Sequence, residues 1–270
     1  MKDCRKMLNN AKTVVIKVGT STITYNTGRL NLGVLEKLVL VISDLRNQGK
    51  RVVLVTSGAI AVGNAKFGFK KKSEKMSEKQ AAASIGQCEL MNIYSKLFVE
   101  YGYNVGQILL TREEVNDKKR KRNVVNTFNT LLKYNAVPIV NENDSISTEE
   151  IEFGDNDTLS AVVSELIGAD LLIILSDIEG MYDRDPKEDE NAKLIPMVDA
   201  IDEVIEKAAG DKGSERGTGG MFTKILAAKI ATKVGTDVVI ANGEDPFVIR
   251  RILDGGHVGT LFAAQRMDKE

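Results

Sequence analysis

Short runs of β-branched and aliphatic residues recur along the chain at 13–18, 51–56, 106–111, 137–141, 171–176 and 237–241. Each has the length and the polar boundaries of a strand. Between them, apolar residues return at helical spacing over 34–48, 78–101, 124–134, 157–166, 201–209 and 221–234. Strand and helix alternate almost throughout, and strands that are apolar nearly without interruption have to be covered on both faces. The pattern therefore predicts an α/β sandwich, a largely parallel sheet with helices on either side. No repeat and no Pro/Gly/Ser-rich linker breaks it, although 183–191 reads as a polar, acidic loop. A single domain with two lobes is expected.

The composition narrows the function. With 270 residues, 43% of them hydrophobic, and a formal net charge of −1, the chain can build one large or two modest cores. A sequence pI near 6.1 gives no global field to draw nucleic acid or an anionic membrane, so a small substrate is expected. Residues 1–12 carry five charges and no apolar signal core, and no later apolar run reaches the roughly 18 residues of a membrane span. The expectation is a cytoplasmic protein with no nucleic-acid and no membrane partner. Cys4 and Cys88 are too few for a disulfide framework or a zinc site. Cys88, inside a helical pattern, reads as a small core hydrophobe.

In open α/β sheets ligands bind beyond the carboxyl ends of the strands. Four runs end in VVIKVGTS, VVLVTSGAI, PIVNEND and LLIILSD, which gathers Gly19, Ser21, Ser57, Gly58, Asn141, Asp144, Ser176 and Asp177 along one edge. Taken singly, such residues are also ordinary turn and cap residues. Lys17 is different, because it lies between Ile16 and Val18 inside a strand pattern, where a buried ammonium without an anion costs several kcal/mol.

A second basic anchor is Gly217, Thr218, Gly219, Gly220, Met221, Phe222, Thr223 and Lys224, which opens a helix. A glycine turn feeding a helix N-terminus aims amide groups and the positive dipole end at one point, an anion site. A lysine in that first turn is unfavourable by roughly 0.3–1 kcal/mol unless an anion is bound; the bland alternative is a solvated lysine after a flexible turn. Neither G-x-x-x-x-G-K-[ST] nor G-x-G-x-x-G occurs, which excludes a standard P-loop and a dinucleotide fingerprint. Acidic and amide residues form a third group, Asn141–Asp144 after one strand and Gly154, Asp155, Asn156 and Asp157 at the start of a helix. Such clusters suit an ammonium group, a metal ion or a lysine that must be held, although Asn156 or Asp157 also serves as an N-cap. Phosphoryl transfer from ATP asks for positive charge around the transferred oxygens and little covalent help.

The motifs K-x-G-T-S from Lys17, V-T-S-G-A-I-A-x-G from Val55, N-E-N-D from Asn141, G-D-N-D-x-L-S from Gly154 and G-T-G-G-M-x-T-K from Gly217 occur in that order. Together they make the chain resemble, over residues 13–262, the glutamate 5-kinases of the amino-acid kinase family. The resemblance implies a three-layer αβα sandwich, with a substrate lobe over about 1–168 and a nucleotide lobe over about 169–270. It implies transfer of the ATP γ-phosphate to L-glutamate, giving glutamyl 5-phosphate in the first step of proline biosynthesis, with Mg2+ as the metal.

Carried over by position, the resemblance assigns Lys17 and Lys224 to the transferring phosphoryl group and Asp157 to the alignment of both lysines. It assigns Ser57, Gly58, Ala59, Asn141, Asp144 and Asn156 to the substrate. Ser176, Asp177, Gly180, Met181, Tyr182, Asp185 and Pro186 resemble the nucleotide segment, with Thr218, Gly219, Gly220, Met221 and Lys224 curled over the phosphates. No protein side chain is assigned as a metal ligand, the ion bridging ATP oxygens. An α-ammonium that Asp144 can pair favours glutamate over acetylglutamate. A homo-oligomer, dimer or tetramer, and a transient hand-over to the next proline-pathway enzyme are implied by the family alone. The chain resembles the short form without the C-terminal PUA module, so properties of that module, and proline feedback inhibition, are not carried over.

The residues leave other readings open. A kinase of this family could act on aspartate or acetylglutamate, and a non-catalytic sensor could share the fold, although a sensor would be marked by a damaged lysine pair. Ser57 after a strand and His257, the only histidine, allow the Ser, Asp, His chain order of an α/β-hydrolase, but the G-x-S-x-G elbow is absent and Lys17 and the glycine turn would go unexplained. The basic runs 70–72 and 118–122 read as solvated loop faces.

Overall fold

In the computed structural model, which describes residues 4–69, 75–146, 156–186, 188–203, 205 and 220–265, the run Thr13–Val18 forms β1, a central strand of an eight-stranded sheet. Strand β2 (Arg51–Val55) pairs with β1 in parallel on one side and β5 (Leu171–Ser176) on the other. Outside β2 lie β4 (Ala136–Glu142) and then β3 (Asn104–Leu110). Outside β5 come β7 (Asp237–Asn242), β8 (Thr260–Phe262) and β6 (Met197–Val198), giving the order β3-β4-β2-β1-β5-β7-β8-β6. Among these pairs only β7 with β8 is antiparallel. The carboxyl ends of β1–β5 and β7 therefore share one edge.

The strand period of two sorts each strand between the faces. Val14, Ile16 and Val18 of β1 enter a core with α3 (Leu32–Asn47), α4 (Ala59–Phe67), α5 (Met76–Glu100) and α10 (Val248–Leu253). Val15 enters the opposite core with α7 (Lys118–Lys133), α8 (Asn156–Ile167) and α9 (Met221–Lys233). The result is the expected three-layer αβα sandwich, supplemented by short helices α1 (Cys4–Met7), α2 (Thr20–Ile23) and α6 (Arg112–Asn116).

Helix α4 was not expected, because Gly63 falls in its middle and glycine costs a helix about 1 kcal/mol against alanine. The contact with α5 explains the glycine. A Cβ on Gly63 would lie 1.8 Å from the Ala82 carbonyl oxygen, and one on Gly86 1.8 Å from that of Ala59. The two helices cross backbone to backbone, which only glycine allows. Helix α7 starts six residues before the expected 124, at Lys118, so the basic run 118–122 is its first turns and not a loop. Asp117 caps it by accepting from the Arg120 N–H, and Arg120 pairs with Glu113 and Glu114.

Cys88 requires a correction, for it is exposed. The buried face of α5 runs through Ala83, Gly86, Gln87, Leu90 and Tyr94, and position 88 falls off it. Most of the expected helix 201–209 lies outside the described residues.

Candidate active site

Lys17 follows Val15 at the strand period and so faces α8 and α9 at the carboxyl end of β1. Its Nζ is 2.6 Å from Asp157 Oδ1 in the first turn of α8. The other carboxylate oxygen, Oδ2, is 3.1 Å from Lys224 Nζ in the first turn of α9 and accepts from the Thr223 hydroxyl at 3.0 Å. Relative exposures of 4%, 0% and 3% for Lys17, Asp157 and Lys224 place all three out of water. Burial pushes the Asp157 carboxyl up, but Lys17 and then Lys224 outweigh it and hold the group below its ordinary value. Asp157 is therefore ionised at neutral pH, and the triad carries one net positive charge. The strain of a strand lysine and of a lysine at a helix N-terminus is thus met by one shared anion.

A second cluster, built of amides and hydroxyls, lies on the α5 side of the same edge. Asn141, near the end of β4, belongs with Val137 and Ile139 on the face covered by α5. Its Nδ2 donates to Gln87 Oε1 at 2.9 Å. Its Oδ1 accepts from the Glu142 N–H at 3.0 Å and from Asn156 Nδ2 at 2.9 Å. Asn156 Nδ2 also lies 2.9 Å from the Thr56 carbonyl and 3.0 Å from Ser57 Oγ. The Thr56 hydroxyl is 2.9 Å from the buried Tyr94 hydroxyl of α5. Gly58, with φ +91°, turns the chain from β2 into α4 in a conformation that non-glycine residues rarely adopt, and Ala59 is buried just behind it. The structure thus joins Ser57, Asn141 and Asn156 directly and places Gly58 and Ala59 beside them. Asp144, half-buried, is in the turn after β4.

Gln87 is a residue that the sequence reading missed. Its one advance sign is the run of small residues Ala82, Ala83 and Gly86, which marks the side of α5 that meets its neighbour.

The nucleotide-segment residues divide. Ser176 ends β5, donates to Asp177 Oδ1 at 3.0 Å and accepts at its backbone carbonyl from Gly243 N–H. On the same edge Gly19 N–H donates to the Leu175 carbonyl, and a Cβ on Gly19 would lie 3.7 Å from Lys17 Nζ. Gly180 is buried against Thr260 of β8, and the Met181 N–H donates to the Thr260 hydroxyl at 2.8 Å. Tyr182 bridges Leu194, while Asp185 and Pro186 are in the exposed loop beyond it. Gly220 and Met221 open α9, whereas Thr218 and Gly219, like Gly154, Asp155 and the basic run 70–72, lie outside the described residues. His257 is exposed in the loop before β8. Among the described residues no three His, Cys, Asp or Glu side chains form a metal-binding group, and no helix is long and apolar enough to cross a membrane.

The Amino acid kinase family profile matches residues 12–242. A glutamate 5-kinase of Clostridium perfringens is 54% identical over 266 residues, covering 97% of this chain and 99% of that protein. One of Clostridium acetobutylicum is 54% identical over 257 residues, covering 95% and 96%. A crystal structure of UMP kinase from Bacillus anthracis superposes with a TM-score of 0.63 at 17% identity, over 95% of this chain and 97% of that one, a likeness of fold alone. The chain belongs to the amino acid kinase family, and within that family its similarity over nearly full length is to glutamate 5-kinases.

Proposed function

We propose that the protein transfers the γ-phosphoryl group of ATP to the side-chain carboxylate of L-glutamate, giving L-glutamyl 5-phosphate and ADP, the first step of proline biosynthesis. The observation that carries the reading is the buried Lys17–Asp157–Lys224 triad at the strand-end edge of a chain half identical to glutamate 5-kinases over nearly its whole length.

The chemistry follows from the charges. A glutamate side chain, with an ordinary pKa of about 4.3, is already ionised at neutral pH and needs no general base. Asp157 is therefore free of proton transfer, and its lowered pKa suits it to hold Lys17 and Lys224 on either side of the transferring group. The two ammonium groups stabilise the negative charge spread over the phosphoryl oxygens, the main task of such a site. Asp144 pairs with the α-ammonium, and Ser57, Gly58, Ala59, Asn141 and Asn156 hold the rest of the amino acid. Ser176, Asp177, Gly180, Tyr182, Asp185, Pro186, Gly220 and Met221, with Thr218 and Gly219, receive the nucleotide.

Mg2+ fits this site as an ion carried by ATP: both Asp157 oxygens face ammonium groups, so phosphate oxygens would hold it, and there it neutralises charge. The same proposal has a substrate lobe over about 1–168 and a nucleotide lobe over about 169–270, a cytoplasmic dimer or tetramer, and transient passage of the labile acyl phosphate to the next pathway enzyme.

Trapping with hydroxylamine tests the reaction. In parallel mixtures of ATP and Mg2+ with glutamate, aspartate or acetylglutamate, hydroxamate is expected with glutamate alone. Product only with another acid moves the substrate, and none with any acid removes the kinase reading.

A further inference from the structure

The orientation of the amides around Asn141 can be worked out from groups that have no choice. A backbone N–H can only donate, so the Asn141 atom 3.0 Å from the Glu142 nitrogen is the oxygen. Asn141 Nδ2 then points at Gln87, and the Gln87 atom 2.9 Å away has to be the acceptor Oε1. The same logic fixes Asn156, whose Nδ2 is held by the Thr56 carbonyl. Two atoms remain over: Gln87 Nε2, a donor, and Asn156 Oδ1, an acceptor. Both are buried, and neither has a hydrogen-bond partner among the described residues. Gln87 itself is 8% exposed.

A buried amide nitrogen without a partner is costly to leave unmet, so its presence calls for a reason. The site supplies one. The side-chain carboxylate of the amino acid is taken by the lysines, and its α-ammonium calls for acceptors such as Asp144 and Asn156 Oδ1. Its α-carboxylate calls for donors, and none of the residues that hold the amino acid has yet been assigned to it in particular. We propose that Gln87 is a substrate-binding and specificity residue whose Nε2 donates to the α-carboxylate, while its Oε1 orients Asn141. The proposal rests on the reading of the site as a glutamate kinase and extends it to the end of the substrate remote from the chemistry.

The test compares L-glutamate with its α-amide, isoglutamine, which keeps the reacting side-chain carboxylate and replaces the α-carboxylate by a neutral amide. Gln87→Glu keeps an acceptor for Asn141 and exchanges the donor for an anion. The ratio of kcat/KM for glutamate over isoglutamine is expected to fall by about tenfold to a hundredfold, the worth of a hydrogen bond to a charged group. The KM for ATP should stay as it was. Gln87→Met, of similar length and uncharged, is read by the same ratio and should move it in the same direction. A merely structural role would lower kcat/KM for both acids equally, and an unchanged ratio in either folded variant overturns the assignment. Turnover of glutamate by the wild type is scored separately: its absence removes the underlying reading and the assignment with it, whereas an active wild type with an unchanged ratio removes the assignment alone.

Discussion

Replacing Asp157 by asparagine keeps the shape of the side chain and removes the one anion shared by two buried lysines. At an effective dielectric of 20, ion pairs at 2.6 and 3.1 Å are worth about 6 and about 5 kcal/mol of gross attraction. Most of that offsets the several kcal/mol needed to dehydrate each ion, so the net worth of the triad is far smaller. Removing the partner alone leaves the dehydration cost in place without the attraction, and the relevant scale becomes about 3–5 kcal/mol. Against a usual total of about 5–15 kcal/mol, Asp157→Asn should lower the urea midpoint sharply. Sulfate should restore part of the loss, more in the variant than in the wild type, because two unneutralised ammonium groups bind an anion that the unfolded chain does not. In the hydroxamate assay kcat should fall by about 10²–10³, since the lysines lose their alignment. A variant within about 1 kcal/mol of the wild type and with undiminished kcat would refute the reasoning at both points.

Lys17→Ala and Lys224→Ala should each lower kcat by about 10²–10³ with a smaller effect on KM, because both are proposed to act on charge that develops in the transition state; steady-state kinetics with ATP and glutamate reads this directly. Asp144→Ala should raise the KM for glutamate and leave that for ATP alone, and an equal rise for ATP would place Asp144 elsewhere. Because the folded pKa of Asp157 is depressed below the unfolded 3.8, its contribution is complete well above pH 3.8 and is lost as the pH falls through the folded value. The stability gap between wild type and Asp157→Asn should therefore narrow between pH 7 and pH values below 3.8, and a widening gap in urea titrations would contradict the shift. Gly63→Ala should lower the melting temperature by many degrees, since its Cβ meets the Ala82 backbone at 1.8 Å and the helices have to separate; an unchanged melt would mean that α4 and α5 do not cross this closely.

Lys17 was legible in the sequence because a charge among β-branched residues has few innocent explanations. The strand ends were legible for a related reason: each apolar run stops abruptly at Gly, Ser, Asn or Asp. Helix α4 was not, since the glycine that lets it approach α5 is the residue that argues against a helix when the partner is unseen. Gln87 was hidden for a different cause. It is one polar residue in a 25-residue helix with many, and only the contact with Asn141, 54 positions away, separates it from a surface glutamine. Cys88 failed by one helical position, where a step of 100° carries a side chain from core to solvent.

The two halves of the candidate site belong to opposite faces of the sheet, and the proposed reaction requires that they meet. Lys17 looks toward α8 and α9, whereas Asn141 looks toward α5. The first two residues of α8 join them. Asn156 reaches back to Thr56, Ser57 and Asn141, and Asp157, its neighbour in the chain, reaches the two lysines. Consecutive Cα atoms are about 3.8 Å apart, so the amide that joins Thr56, Ser57 and Asn141 and the carboxylate that joins the two lysines shift together with the start of α8. A displacement of the start of α8 should therefore disturb glutamate binding and phosphoryl transfer together. The glycine crossing of α4 on α5 has a complementary role, because it holds Gly86, the chain neighbour of Gln87, against the Ala59 carbonyl and so fixes the start of α4 relative to Gln87.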